Sequence, residues 1–419
     1  MQVRVLIMGA GFSGLTLAHE LRKRNFEVTI VDQAMAVGGL LQTQQTAHQL
    51  AETGASGFFL TDNLAKLLQE LQVPLLEQLP EASKKYIYRN RLRRFPLGFF
   101  ETLQFIFKSV PRLVLKTPLH ARPQETVHDW ALRNFPRAAV QYLIEPFFQG
   151  IHAGDLKQMQ ANLVLEHFFK RTKAKTKRRY VAPQRGMSEF LEILTKRLIK
   201  DGVEFQLGRN VSNDSGLADL QREFRCDLTV LATSLKAAEN LLPQGSVTRA
   251  TIGKCKMVGM VKMNIAFDLT TQRLPGFGIL IPRDQKLKTL GILANTHIFA
   301  DRGLSYNESW LIGGALGPEV QIFNQQGLIN LVQTERKRIL GDAGKIQEVL
   351  IARWPQALPQ YDHHLAKLHQ FIRVDQVSPQ PEFKDLFFAG NYLRGIGLSQ
   401  SYDYNLTLAE HLENLRSQK

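Results

Sequence analysis

Gly9, Gly11 and Gly14, in the run Gly9-Ala10-Gly11-Phe12-Ser13-Gly14, and Asp32, eighteen positions beyond Gly14, are the residues whose types and spacing point first to chemistry. Gly9 permits a tight turn, Gly11 lets the backbone approach a diphosphate, and Gly14 lets a helix pack close against the strands behind it. The diphosphate then meets the positive end of that helix. Asp32 stands where a carboxylate accepts hydrogen bonds from an adenosine ribose. Gly38-Gly39 and Glu52-Thr53-Gly54-Ala55-Ser56-Gly57 add two further loops without bulky side chains within sixty residues of the start. Repeated close approach of backbone suits a long, extended ligand, so FAD is the expected cofactor in preference to NAD.

These residues need a strand, turn, helix, strand unit to hold them. Residues 3–8 read as the first strand, 15–23 as the helix and Glu27–Val31 as the second strand. Leucines at helical spacing predict a helix over 60–71, and 85–88 with 92–96 read as a hairpin about a turn at 89–91. Residues 97–169 are mostly helical in pattern. A helix over 187–200 and strands over 203–207 and 227–232 follow; the run Leu228-Thr229-Val230-Leu231 fits a strand buried in a parallel sheet. Runs at 257–267, 277–281, 289–295 and 309–315 alternate like antiparallel strands. A helix over 329–340, extended chain over 348–354, a short strand over 386–389 and a closing helix over 406–415 complete the pattern. The expected fold is α/β. A discontinuous Rossmann-type domain covers 1–76, 180–235 and 350–419, and a mainly antiparallel β substrate domain covers 77–96 and 236–349. The helical insertion covers 97–179.

The chain has 419 residues, a net charge of +15 and a pI near 9.8, which favours anionic partners such as polycarboxylates or acidic lipid surfaces over a merely basic surface. Residues 170–179 carry seven basic side chains in ten, but no nucleic-acid-binding motif surrounds them, and no nucleic-acid partner is expected. Its two cysteines, Cys226 and Cys255, form no CxxC or Cys/His array, and His363-His364 lacks a completing cluster, so no metal is expected. No apolar stretch is long enough to span a bilayer. Residues 95–115 come nearest; their clustered phenylalanines and basic flanks suit either a membrane interface or a helix pair packed on the core. The start carries no signal-peptide pattern, and the expected location is cytoplasmic. Peripheral contact with an anionic membrane and assembly as a homodimer are compatible with this reading.

Taken together, residues 9–14, 38–39, 52–57, Gly150-Ile151-His152-Ala153-Gly154-Asp155, Gly186-Met187, 276–282, 353–361 and 390–398 resemble the FAD-dependent protoporphyrinogen and coproporphyrinogen oxidases, within the amine-oxidase-like flavoproteins. The resemblance spans nearly the whole chain. It implies that residues Gly9 to Gly14, Asp32, Gly39, Leu40, Gly54, Ala55, Ser56, Gly57, Val211, Trp354, Gly390, Ile396, Gly397 and Leu398 contact FAD. It also implies that Phe277, Leu280 and Leu293 sandwich a flat tetrapyrrole while Lys85 steadies a propionate. The family usually has Glu where Asp32 stands and often Arg where Lys85 stands, so the ribose bond and the carboxylate bond are each altered here. The implied reaction is oxidation of protoporphyrinogen IX by hydride transfer to the flavin, with oxygen as acceptor and no acid or base residue assigned. Coproporphyrinogen III is the nearest alternative substrate; a flavin-dependent sugar mutase or another amine-oxidase-like flavoprotein is the alternative activity. Ser401-Tyr402-Asp403-Tyr404-Asn405 departs from a glycine-containing stretch common in the family, and its tyrosines either narrow the pocket or pack a helix start.

Overall fold

Five short strands pair in parallel in the order Glu204–Gln206, Glu27–Val31, Arg4–Met8, Leu228–Leu231, Leu386–Phe388. Consecutive residues Val5, Leu6, Ile7 and Met8 are all buried, so both faces of this sheet are covered. The strands come from three separated parts of the chain. The computed structural model describes residues 2–114, 119–169, 179–210, 217–376 and 381–418.

A seven-stranded sheet runs Ile346–Pro359, Met257–Phe267, Tyr306–Gly313, Thr289–Ala294, Gly278–Leu280, Lys85–Tyr88, Leu92–Arg93. All its pairings are antiparallel except that of Lys85–Tyr88 with Gly278–Leu280. Side chains alternate between its faces with period two. Val261, Met263, Ile265, Ile279, Ile292, Trp310 and Ile312 form one face, packed on Leu328, Val332 and Ile339 of helix Gln325–Leu340. The register puts Lys262, Asn264, Leu280, Leu293, Ser309 and Leu311 on the other. One face is therefore core, and the other mixes leucines with the buried polar residues Lys262, Asn264 and Ser309.

The differences from the pattern read in the sequence include three that border the site. The strand read over 348–354 continues from Ile346 through Pro359. It tolerates Pro355 because it is the edge strand, where a missing N–H costs no ladder bond, and because a register shift at Val258/Met260 lies opposite. A strand at Tyr180–Pro183, unread before, joins Phe58–Phe59 to Leu75–Glu77. The closing helix begins at Leu398, not 406, so residues 401–405 lie inside it. Tyr402 and Tyr404 are both buried, the former donating to Glu20 Oε1 at 2.7 Å. They pack the helix rather than narrow a pocket.

The helical insertion contains Phe99–Val114, Val127–Asn134, Glu145–His152 and Ala161–Phe169. Phe105 turns inward and stacks on Phe135, whereas Phe99, Phe100 and Phe107 point to solvent with 73%, 77% and 74% of their surface exposed. Among the described residues no helix is long and apolar enough to cross a membrane.

Helix His363–Ile372 buries His369, whose Nε2–H donates to the Tyr392 carbonyl at 2.6 Å. Burial lowers the pKa of His369 to about 4, so the folded chain binds fewer protons than the unfolded one between pH 4 and 6.5. Stability from this residue is complete above pH 6.5 and lost as pH falls to 4, by about 3 kcal/mol. Urea unfolding at several pH values should show a shallower acid decline in His369→Gln; equal slopes would remove His369 from the acid response.

Candidate cofactor and substrate site

Strand Arg4–Met8 delivers the chain to Gly9, whose φ of +117° turns it into helix Phe12–Lys23. A Cβ on Gly9 would lie 2.5 Å from the Ala232 carbonyl oxygen, and one on Gly14 would lie 1.9 Å from that of Gly9. These two glycines serve the fold. Gly11 is different: a Cβ there meets only Gly39 Cα at 3.9 Å and Gly38 O at 4.0 Å, which is ordinary contact. The first bond of the helix runs from Leu15 N to Gly11 O, and among the described residues none accepts from the N–H groups of Ser13 and Gly14, which stay available to an outside acceptor. Asp32, at the end of strand Glu27–Val31, accepts from Ala10 N at 2.6 Å and Ala34 N at 2.8 Å. Its carboxylate braces the glycine turn and keeps lone pairs for a ribose hydroxyl.

The other glycine loops lie alongside. Gly39 and Gly11 nearly touch, and a Cβ on Gly54 would lie 2.3 Å from Leu40 O. Among the described residues none accepts from the backbone N–H groups of Gly54, Ala55, Ser56 or Gly57. Trp354 Nε1 donates to Thr53 O at 2.9 Å, bringing the edge strand of the large sheet to this loop. Ser399, just after Ile396-Gly397-Leu398, donates to Phe59 O at 2.6 Å, and Asn405 Nδ2 donates to Ser13 O at 2.8 Å. Gly390 follows strand Leu386–Phe388, whose neighbour Ala389 bonds Leu231 O beside the Gly9 turn. Residues scattered over nearly four hundred positions thus meet in one region; Val211 lies outside the described residues. An open glycine, unused helix-start donors, a carboxylate beyond the turn and a row of unused N–H groups all fit FAD.

Lys85 and Leu293 both oppose Gly278, and Leu280 follows on the same face. Lys85 Nζ sits 5.2 Å over the Phe277 ring, which also meets Tyr180 at 5.4 Å. Tyr180 in turn covers Gly57: a Cβ there would be 2.8 Å from its ring. Phe277 and Leu293 therefore stand beside the loop at 54–57 and also help wall a small cluster with Ala182, Ile298 and Phe299. Leu280 lies at the other end, where a Cβ on Gly150 of helix Glu145–His152 would meet it at 2.5 Å.

Two polar residues were missed in reading the sequence. Lys262 is 3% exposed and donates to Gly54 O at 2.7 Å and Ser56 Oγ at 2.9 Å. Burial lowers its pKa to about 8 against the pull of nearby Glu52. Asn264, also buried, donates from Nδ2 to Glu52 O at 3.0 Å. A lone lysine in the apolar strand Met257–Phe267 was the available signal. Glu52 itself accepts from Met187 N at 3.0 Å and Thr43 Oγ1 at 2.9 Å; burial pushes its carboxyl up, while these bonds and Lys262 pull it down.

Residues 12–398 match the family model for flavin containing amine oxidoreductase, which is nearly the whole chain. The chain belongs to that family. It is an FAD-dependent oxidoreductase with the amine-oxidase-like fold. Among curated relatives of this flavoprotein, the mitochondrial protoporphyrinogen oxidase of Nicotiana tabacum is 24% identical, covering 97% of this chain and 94% of the relative. The coproporphyrinogen III oxidase of Bacillus subtilis (strain 168) is 21% identical and covers 95% of each. A crystal structure of a protoporphyrinogen oxidase candidate from Exiguobacterium sp. 255-15 superposes with a TM-score of 0.75 at 16% identity, covering 99% of each chain.

Proposed function

We propose that this flavoprotein dehydrogenates a porphyrinogen, with protoporphyrinogen IX as its substrate and oxygen as final acceptor. The observation that carries the reading is the joining of an FAD cradle to a sheet face on which Phe277, Leu280 and Leu293 stand near Lys85. The glycine turn, Asp32 and the loop at 54–57 would hold the cofactor. When bound, FAD supplies the two-electron acceptor, and conversion to the porphyrin takes three such rounds.

The chain's own contribution is orientation and exclusion of water. Phe277, Leu280 and Leu293 offer flat apolar surface to the macrocycle. Lys85 pairs with a propionate as a point charge, without the two-pronged bond an arginine would give. Removing that charge in Lys85→Ala is expected to raise KM about three- to tenfold, equivalent to roughly 1 kcal/mol for an exposed ion pair. Flavin content should not change. Steady-state porphyrin fluorescence checks this, and unchanged KM would take Lys85 out of the site.

Coproporphyrinogen III is the second reading, favoured by the net charge of +15, which suits a more highly carboxylated substrate. The exposed phenylalanines favour the first. Phe99, Phe100 and Phe107 share one stripe of helix Phe99–Val114, and exposed Arg91 and Arg94 lie just before it. That combination suits the interface of an anionic bilayer. Co-sedimentation with phosphatidylserine vesicles should fall at least tenfold in the triple variant Phe99→Ser, Phe100→Ser, Phe107→Ser, whereas parent protein that stays in the supernatant would end the membrane assignment.

A further inference from the structure

Three consecutive carbonyls, those of Glu52, Thr53 and Gly54, each accept a hydrogen bond from a side chain of the seven-stranded sheet: Asn264 at 3.0 Å, Trp354 at 2.9 Å and Lys262 at 2.7 Å. The three donors sit on one face. Lys262 and Asn264 are two residues apart on strand Met257–Phe267, and Trp354 opposes Met260 across the ladder to the edge strand. Their positions are themselves fixed. Asn264 Oδ1 accepts from Ser309 Oγ, whose oxygen accepts from Asn295 Nδ2 at 2.8 Å, and Lys262 reaches onward to Ser56 Oγ. Ser309 opposes Leu293, so the grip on the loop is continuous with the face that would carry substrate.

A peptide unit is planar, with its C=O and N–H pointing in opposite directions. Pinning the carbonyls of residues 52–54 to the sheet therefore turns the following N–H groups, of Thr53, Gly54 and Ala55, away from it. Thr53 N bonds Gln42 O, and the next four N–H groups have no acceptor among the described residues. A buried lysine whose role is packing would be costly. Here it is held at the loop that the cofactor reading assigns to FAD.

We propose that Lys262, Asn264 and Trp354 are positioning residues for the redox step: together they hold the loop at 52–57 so that its N–H donors and the Lys262 charge favour the electron-rich, reduced state of the bound flavin. The inference rests on the assignment of that loop to FAD. It makes the substrate-binding sheet part of the device that sets the flavin's potential. Donors and a cation near a group that gains negative charge stabilise the reduced form most where water is excluded.

The test is the equilibrium reduction potential of the holoprotein, measured by dye-coupled reduction without any porphyrinogen. Lys262→Met should lower the reduced-to-oxidised ratio at fixed potential about tenfold, a fall of about 30 mV for a two-electron couple. Trp354→Phe, which keeps the ring but removes the N–H, should shift it in the same direction and change the visible flavin spectrum. Lys262→Arg retains the charge and should recover most of the potential. Potentials within experimental error of the parent in both Lys262→Met and Trp354→Phe, in proteins that are yellow and fully loaded, would overturn the proposal and leave the cofactor reading intact. A parent protein that binds no flavin would instead sink the cofactor reading itself.

Discussion

Gly11→Val is expected to fold normally and to purify without its yellow colour. Among the described residues nothing crowds a Cβ at this position: the nearest atoms are Gly39 Cα at 3.9 Å and Gly38 O at 4.0 Å. A ligand lying against the turn would meet the added methyl groups. Loss of close backbone approach and of the helix-start N–H contacts to a diphosphate should weaken FAD binding at least a hundredfold, or roughly 3 kcal/mol. The comparison with Gly14→Ala separates ligand from fold. There the Cβ would stand 1.9 Å from Gly9 O, so helix Phe12–Lys23 must shift and thermal stability falls as well. Flavin absorbance per protein and thermal unfolding of the apoproteins read the two effects apart. Parent-like flavin content in Gly11→Val would contradict the placement of the diphosphate.

Arg336→Met is expected to cost about 3–5 kcal/mol of folding stability. Arg336 and Glu308 are both fully buried, with Nη2 3.0 Å from Glu308 Oε1. Arg336 also donates to Asp342 O at 2.9 Å and to Gln272 O, and Trp310 Nε1 gives Glu308 a further bond at 2.9 Å. Burial pushes the Glu308 carboxyl up even with Arg336 beside it. Removing the guanidinium leaves a carboxylate in the core of the large sheet with too few donors. Replacing both partners, as in Arg336→Met with Glu308→Leu, should be milder than Arg336→Met alone, because no charge is then stranded. Guanidinium unfolding distinguishes these outcomes; a single variant within 1 kcal/mol of the parent would show that the pair is dispensable. The consequence reaches the site, since strand Tyr306–Gly313 carries Glu308 on its core face and Ser309 and Leu311 on the other.

What the sequence disclosed was local. Strands Glu27–Val31, Lys85–Tyr88 and Met257–Phe267 stand where their alternation or apolar runs placed them, and Gly9 turns the chain as expected. Strand Tyr180–Pro183 escaped because its partners, Phe58–Phe59 and Leu75–Glu77, are far away in sequence and its four residues end in proline. The continuation of Ile346–Pro359 past Pro355 depended on that strand lying at an edge, which only the assembled sheet reveals. At the site, the glycine loops were legible because glycine is chosen for backbone shape. The grip of Lys262, Asn264 and Trp354 on residues 52–54 was not, since side-chain bonds spanning some two to three hundred positions leave no spacing to read.

The central claim is that this flavoprotein takes hydrogen from a porphyrinogen. Its most direct test is anaerobic mixing of the purified holoprotein with protoporphyrinogen IX and, separately, with coproporphyrinogen III, following flavin absorbance and porphyrin fluorescence together. The account predicts rapid bleaching with matching porphyrin formation, faster with protoporphyrinogen IX. Faster reaction with coproporphyrinogen III would exchange the two substrates within the same chemistry. Flavin that stays oxidised with both, in protein fully loaded with FAD, would contradict the claim.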